Sequence, residues 1–207
     1  MANTISKSMK ILLILLGIVL LAFIGVQVYF LNTQSKIETY PFQVEQEYDE
    51  FEIRKYEATL FTSVKVPSSD YKKSSGQGFS ILAGYIFGQN EQQEKIAMTA
   101  PVAMTLEDSM TMMFMVPKER KKANLPEPDD KQIKFTEVPA KRVAAIGFGG
   151  WANDEKIKKY KAKLIAALEA EGIEHTDRFY FLGYNAPFEV FNRKNEVIVD
   201  LPWWYEF

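Results

Sequence analysis

A chain of 207 residues, 47% hydrophobic, 14% aromatic and with a formal charge of −2, is long enough for one domain of ordinary size plus an appendage. It contains no cysteine, which excludes disulfides, thiolate metal sites and cysteine nucleophiles. Its one histidine, His175, excludes a zinc site built from several histidines, and no Gly-x-Ser-x-Gly elbow accompanies it as a nucleophile.

Ile11 to Leu31 carries no charged side chain. As a helix rising ~1.5 Å per residue, this run covers a hydrocarbon core of ~30 Å. No small-x-small cleavage pattern follows it, so it reads as an uncleaved signal anchor and transmembrane helix. Lys7 and Lys10 precede the run, and Lys36 is the one basic residue soon after it. The bias places the N-terminus in the cytoplasm and the rest of the chain on the periplasmic or extracytoplasmic side of a single-pass membrane protein. Residues 1–31 hold two lysines and no acid, so the remainder carries 23 basic against 27 acidic side chains, a net −4. An acidic domain without a basic stripe is a poor nucleic-acid binder. The expected division is 1–31 as cytoplasmic stub and anchor, 32–46 as a polar linker broken at Tyr40-Pro41, and 47–207 as one folded domain.

Tyr48 to Tyr56 and Ala58 to Val66 read as strands, the second with Leu60, Val64 and Val66 on one face. Pro67-Ser68-Ser69-Asp70 is a helix-start signal. Tyr71, Ser75, Phe79, Leu82 and Ile86 then recur at helical spacing, although Gly76, Gly78 and Gly84 weaken the helix. Gly88 is a natural end for it. Lys95 to Val102 reads as a strand and Ser109 to Val116 as its partner, with Pro101 marking an edge or a bulge. Met98, Met104, Met110, Met112, Met113 and Met115 cluster here. Methionine is flexible and polarisable, and the cluster hints at a soft, apolar ligand site.

Lys118 to Asp130 is a charged, proline-bearing loop. The order then repeats. Ile133 to Val138 and Arg142 to Phe148 read as strands. Asn153 or Asp154 caps a helix with Ile157, Tyr160, Leu164, Ile165 and Leu168 on its apolar face, and Gly172 ends it. Arg178 to Tyr184 and Glu196 to Leu201 close as strands. The fold class is therefore α+β. A strand-strand-helix-strand-strand unit is duplicated at an offset of about 80 to 85 residues. Eight antiparallel strands of this kind favour a curled sheet or barrel with two helices packed on it.

Three motifs share one resemblance. Lys95-Ile96-Ala97-Met98-Thr99-Ala100-Pro101-Val102 looks like the signature of the SOUL haem-binding protein family. Gly147-Phe148-Gly149-Gly150-Trp151-Ala152 resembles the run before that family's second helix. Leu182-Gly183-Tyr184-Asn185-Ala186-Pro187, with Arg193-Lys194-Asn195-Glu196-Val197, resembles its closing pair. The likeness runs from about Tyr48 to Val199 and implies a twisted antiparallel β-barrel with two helices. It also implies non-covalent, b-type haem as the ligand, held largely by hydrophobic contact along the first helix. By that resemblance Phe79, Leu82, Ile86 and Met98 are the pocket candidates.

Haem needs an apolar slot, cations for its propionates and, optionally, an axial ligand. The axial choices here are His175, a methionine such as Met98 or Met112, or a tyrosine such as Tyr85 or Tyr184. Lys95, Arg142 and Arg193 are candidate propionate partners. The expected function is a membrane-anchored tetrapyrrole-binding protein, a buffer or carrier without enzymatic activity. Two alternatives stay open. One is a general binder of hydrophobic small molecules, similar to effector-binding domains of bacterial regulators. The other is a hydrolase using Glu and Tyr, with Tyr180, Tyr184 and Glu189 in the right region of the chain.

Overall fold

The computed structural model describes residues 6–34, 37–67, 70–107, 109–186, 189–202 and 204. It has three α-helices: α1 (Lys7–Gln34), α2 (Tyr71–Ile86) and α3 (Asp154–Ala170). The strands are β1 (Phe42–Glu47), β2 (Glu52–Tyr56), β3 (Thr59–Val66), β4 (Val102–Thr105), β5 (Met110–Met115), β6 (Lys134–Val138), β7 (Lys141–Gly149), β8 (Phe179–Gly183) and β9 (Lys194–Asp200). They form one antiparallel sheet in the order β1-β2-β7-β9-β8-β4-β5-β3-β6, curled as a half-barrel with β1 and β6 at its edges.

The duplication is visible in that order. Exchanging β2 with β6, β3 with β7, β4 with β8 and β5 with β9 reverses the eight-strand sequence and leaves every neighbour in place. The pseudo-twofold axis passes between β4 and β8, where Val102 faces Gly183 and Thr105 faces Tyr180. The two packed helices obey it as well: α2 lies on β3 and β5, and α3 on β7 and β9.

Both packed helices begin where their caps predict. The Asp70 side chain accepts from the Lys73 amide, and the Asn153 side chain accepts from the Lys156 amide. Ser68 and Ser69 of the start signal lie outside the described residues. Gly78, expected to weaken α2, is what lets it approach the sheet. A Cβ there would stand 3.2 Å from both Met112 Cβ and Val66 Cγ2. Gly88 takes φ +112°, the left-handed backbone that ends α2.

Alternation along the strands puts apolar residues on both faces, as in a sheet covered on two sides. Val64, Val66, Met112, Phe114, Ala144, Ile146, Val197 and Val199 face the helices and pack with Leu82, Ile86, Leu164 and Leu168. Phe61, Ala103, Met113, Met115, Leu182 and Ile198 form a second cluster on the concave face. Each large side chain so enclosed contributes roughly 1.5–3 kcal/mol.

Three expectations are corrected. The segment expected as a linker carries β1, which pairs with β2 from Phe42 opposite Tyr56 to Glu47 opposite Glu52. As an edge strand it exposes most of its side chains, so its composition reads as linker. The sheet therefore has nine strands rather than eight. Second, Lys95 to Pro101 is not a strand. Its amides go elsewhere, Ile96 to the Ile86 carbonyl and Ala100 to the Glu38 carbonyl, and Pro101 has no amide to give. The strand starts at Val102. Third, Tyr48 to Phe51 is a turn before β2, closed by the Tyr48 amide on the Phe51 carbonyl.

α1 is apolar all round and long enough to cross a membrane. Its Leu13, Leu16 and Leu20 side chains are each more than half exposed. Gln27 is the exception, buried against the domain with its Oε1 accepting from the Val190 amide at 3.4 Å.

Candidate ligand-binding site

The residues expected to line a pocket do not share one. Leu82, Ile86 and Met112 are enclosed by the protein's own side chains between α2 and the sheet, Leu82 and Met112 with no exposed surface. Phe79 and Met98 are half-buried at the border of the same layer, Phe79 edge-on to Phe114. Tyr184 lies on the opposite, concave face. His175 is at the end of the α3 layer, edge-on to Phe179, with its Nδ1 at 2.7 Å from the Thr176 carbonyl oxygen. The methionine cluster is split by the two-residue period of a strand: Met104, Met110 and Met112 face the helices, Met113 and Met115 the concave side.

The concave face holds a cavity of about 430 Å³, within the range of about 300–1,000 Å³ typical of small-molecule sites. Its floor is Phe61, Ala103, Met113, Leu182 and Ile198, brought together from β3, β4, β5, β8 and β9. Its rim is polar, with Tyr180, Lys141, Arg178, Asp200, Glu107 and Glu137. Lys141 Nζ lies 2.7 Å from Asp200 Oδ1 and 3.9 Å from the centre of the Tyr180 ring. The Tyr180 hydroxyl donates to Asp200 Oδ2 at 3.3 Å. Burial lowers the Lys141 pKa from its ordinary value although Asp200 opposes it. Arg178 is exposed and has no ion pair among the described residues.

Tyr40 also lines this cavity. It is 5% exposed, and its hydroxyl is buried with no hydrogen-bond partner among the described residues. Burial, with Tyr56, Asp200 and Tyr180 nearby, holds its pKa well above the ordinary phenol value. An orphaned buried donor costs free energy unless something fills the space beside it.

Elsewhere on the concave side runs a buried polar network. Arg54 on β2 donates to Glu196 on β9 at 2.9 Å and to Glu52 at 2.6 Å. The Tyr184 hydroxyl donates to the same Glu196 oxygen at 2.7 Å. Burial works against both charges. The Glu196 carboxylate nevertheless holds the Arg54 pKa above its ordinary value, and Arg54 holds Glu196 below its own. Tyr184 is thereby committed to Glu196. Glu189 is committed to its own loop, accepting from Asn185 Nδ2 at 2.7 Å and from the Ala186 amide. Tyr180, Tyr184 and Glu189 thus share no hydrogen-bond partner among the described residues. Lys95, Arg142 and Arg193 do not border the cavity: Lys95 is exposed, Arg142 pairs with Glu45 at 2.8 Å and Arg193 stacks on Trp151.

Sequence reasoning missed Tyr40, Ala103, Met113, Lys141, Arg178 and Asp200 as one constellation. The signal available was the alternation itself. Tyr180 with Leu182, and Ile198 with Asp200, are on one strand face by period alone.

Comparison with known proteins agrees with this architecture. The family described as SOUL heme-binding protein matches residues 37–200. Heme-binding protein 2 of Homo sapiens is 30% identical over 156 residues, 71% of this chain and 76% of the relative. Heme-binding protein 2 of Mus musculus is 29% identical over 166 residues, 76% and 80% of the two chains. Among solved structures, the EcmrR C-terminal domain shares the fold with a TM-score of 0.58 at 11% identity, over 78% of this chain and 98% of that one. A hydrolase from Listeria innocua shares it with a TM-score of 0.50 at 10% identity, over 76% and 94%. Match and fold together place the chain in the SOUL heme-binding protein family.

Proposed function

We propose that this protein is a membrane-anchored binder of haem or a related tetrapyrrole, acting as a buffer or carrier, with α1 as the anchor and the concave cavity as the site. The observation that carries the site is the cavity's composition: an apolar floor, Arg178 at the rim and a Tyr40 hydroxyl, neither with a partner of its own among the described residues. These are the groups a flat apolar ring with carboxylate arms requires. Phe61, Leu182 and Ile198 would pack on the ring. Arg178 would meet a propionate and Tyr40 would donate to it. Met113, 8% exposed on the floor, offers the thioether as a soft donor. Bound haem would supply a redox-active iron. The layer beneath α2 supports a ring less well, because Leu82 and Met112 have no surface to offer unless the helix lifts.

The test is haem titration of the detergent-solubilised full chain. Ala103→Phe fills the cavity from its floor and is expected to weaken binding at least tenfold with the melting temperature retained. His175→Ala is expected to leave the Soret shift unchanged. A parent-like titration of Ala103→Phe, beside loss of binding on Ile86→Asp in a folded protein, would move the site under α2. For the anchor, an alkaline phosphatase fusion after Phe207 is expected to be active, given Lys7 and Lys10 before the apolar run.

A second reading has its own observation. Glu107, Glu137 and Asp200 outnumber Arg178 and Lys141 at the rim, a balance that suits a hydrophobic cation. A lipophilic cation that binds the parent more tightly than haem does, and is displaced by Ala103→Phe, would favour it.

A further inference from the structure

The two halves of the domain differ where β8 turns into β9. The equivalent turn of the first half, between β4 and β5, is residues 106–109; this one is residues 184–193, six longer. The longer loop is also where α1 meets the domain, through the Val190 amide on Gln27 Oε1.

Gln27 has a defined depth if α1 spans a membrane. The uncharged run is residues 11–31, so Gln27 lies in its last turn, about 6 Å before its end at ~1.5 Å per residue. The loop that touches Gln27 therefore sits near the boundary between acyl chains and headgroups. Its side chains suit that level. Val190 is 44% exposed, Phe191 53% and the neighbouring Trp151 52%. Arg193 stacks its guanidinium 3.9 Å from the centre of the Trp151 ring. Asn195 donates to the Gly150 carbonyl at 2.8 Å and so ties the Trp151 turn to the foot of the loop. Aromatic residues with a basic neighbour are what membrane interfaces select.

The backbone suits it too. A segment entering an apolar layer must satisfy its own polar groups. Here Arg193 Nη1 donates to the Ala186 carbonyl at 2.9 Å and to the Glu189 carbonyl at 2.5 Å. The Glu189 amide donates to the Ala186 carbonyl, and the Val190 amide to Gln27.

We infer that Val190 and Phe191, with Trp151 beside them, form a lipid-docking surface that seats the domain on the bilayer next to α1. The inference rests on α1 being the membrane anchor. It fixes an orientation as well. The cavity residues Tyr180 and Asp200 lie at the other end of the β8–β9 hairpin from the docked loop, so the cavity faces away from the lipid.

The chain's lack of cysteine makes the test direct. Phe191→Cys, Leu20→Cys and Glu107→Cys each carry one spin label on the full chain in phosphatidylcholine–phosphatidylglycerol vesicles. Power saturation then compares access to oxygen, which partitions into lipid, with access to a water-soluble nickel chelate. The label at 191 is expected to show a several-fold higher oxygen-to-nickel ratio than the label at 107, and the label at 20 a higher ratio again. Equal ratios at 191 and 107, with the label at 20 deep in lipid, overturn the docking surface and leave the anchor standing. A water-exposed label at 20 overturns both.

Discussion

Arg54 Nη1 lies 2.9 Å from Glu196 Oε2, although β7 separates the two strands that carry them. Both side chains are nearly inaccessible, 7% and 1% exposed. Ala145 and Gly147 of β7 share that face and leave room for the guanidinium to pass. Removing one partner leaves the other buried charge with a weaker set of contacts, Arg54 with Glu52 at 2.6 Å and Glu196 with Lys194 at 3.0 Å and the Tyr184 hydroxyl. Glu196→Leu or Arg54→Met alone is expected to cost about 3–5 kcal/mol. The double variant is expected to recover most of that loss, as measured by urea unfolding of the detergent-solubilised chain. Additive single losses would mean that the two charges do not depend on each other.

The same pair sets the acid limb of stability. The folded-state pKa of Glu196 is depressed below its ordinary value, 4.5: burial, the largest single influence, raises it, but the hydrogen bond and charge of Arg54, the Tyr184 hydroxyl and Lys194 together outweigh burial. A depressed carboxylate stabilises the fold fully above its unfolded pKa, and the contribution fades as pH falls through the folded one. The stability gap between the parent and Glu196→Gln is therefore expected to be constant from pH 7 to about 5 and to shrink below about 4.5. A gap that widens in acid would reverse the assigned direction.

Tyr40 makes a prediction of two opposite signs. Its buried hydroxyl has no partner among the described residues. Tyr40→Phe is expected to raise the ligand-free melting temperature, since an unsatisfied buried group costs roughly 1–3 kcal/mol. The same change is expected to weaken the cavity's ligand by roughly two- to tenfold, the worth of one hydrogen bond. Loss of stability without a ligand would show that the hydroxyl has a partner already.

The glycines of α2 provide a matched pair. A Cβ at Gly78 meets Met112 Cβ and Val66 Cγ2 at 3.2 Å, whereas one at Gly76 meets nothing within 4 Å. Gly76→Ala is expected to stabilise by roughly 0.5–1 kcal/mol, the helix preference alone. Gly78→Ala is expected to destabilise by roughly 1–3 kcal/mol, because overpacking exceeds that preference. Thermal melts of the two variants moving in the same direction would remove the close-approach role of Gly78.

Helices and repeat were legible because caps and periodicity are local. Asp70, Asn153, Gly88 and Gly172 sit within a few residues of what they terminate. β1 was not legible, because an edge strand with exposed Gln43, Val44 and Glu45 has the composition of a linker. The site was not legible for another reason. Alternation says that Met112 and Met113 point to opposite faces, but not that both faces are covered, nor which one is hollow. Arg54 and Glu196 are 142 residues apart. The local sign of their pairing was only that each is a charge on the strand face that also buries Tyr56 or Ile198.

The strand order has a mechanical consequence. β2 belongs to the first half of the duplication but pairs with β7 of the second, and β6 of the second half pairs with β3 of the first. Each half has lent its leading strand to the other, an exchange of the kind that makes swapped dimers, here closed within one chain. Neither half has a complete sheet by itself. The domain should therefore open in one step, and a cut in the 118–130 loop should yield two fragments that fold only together.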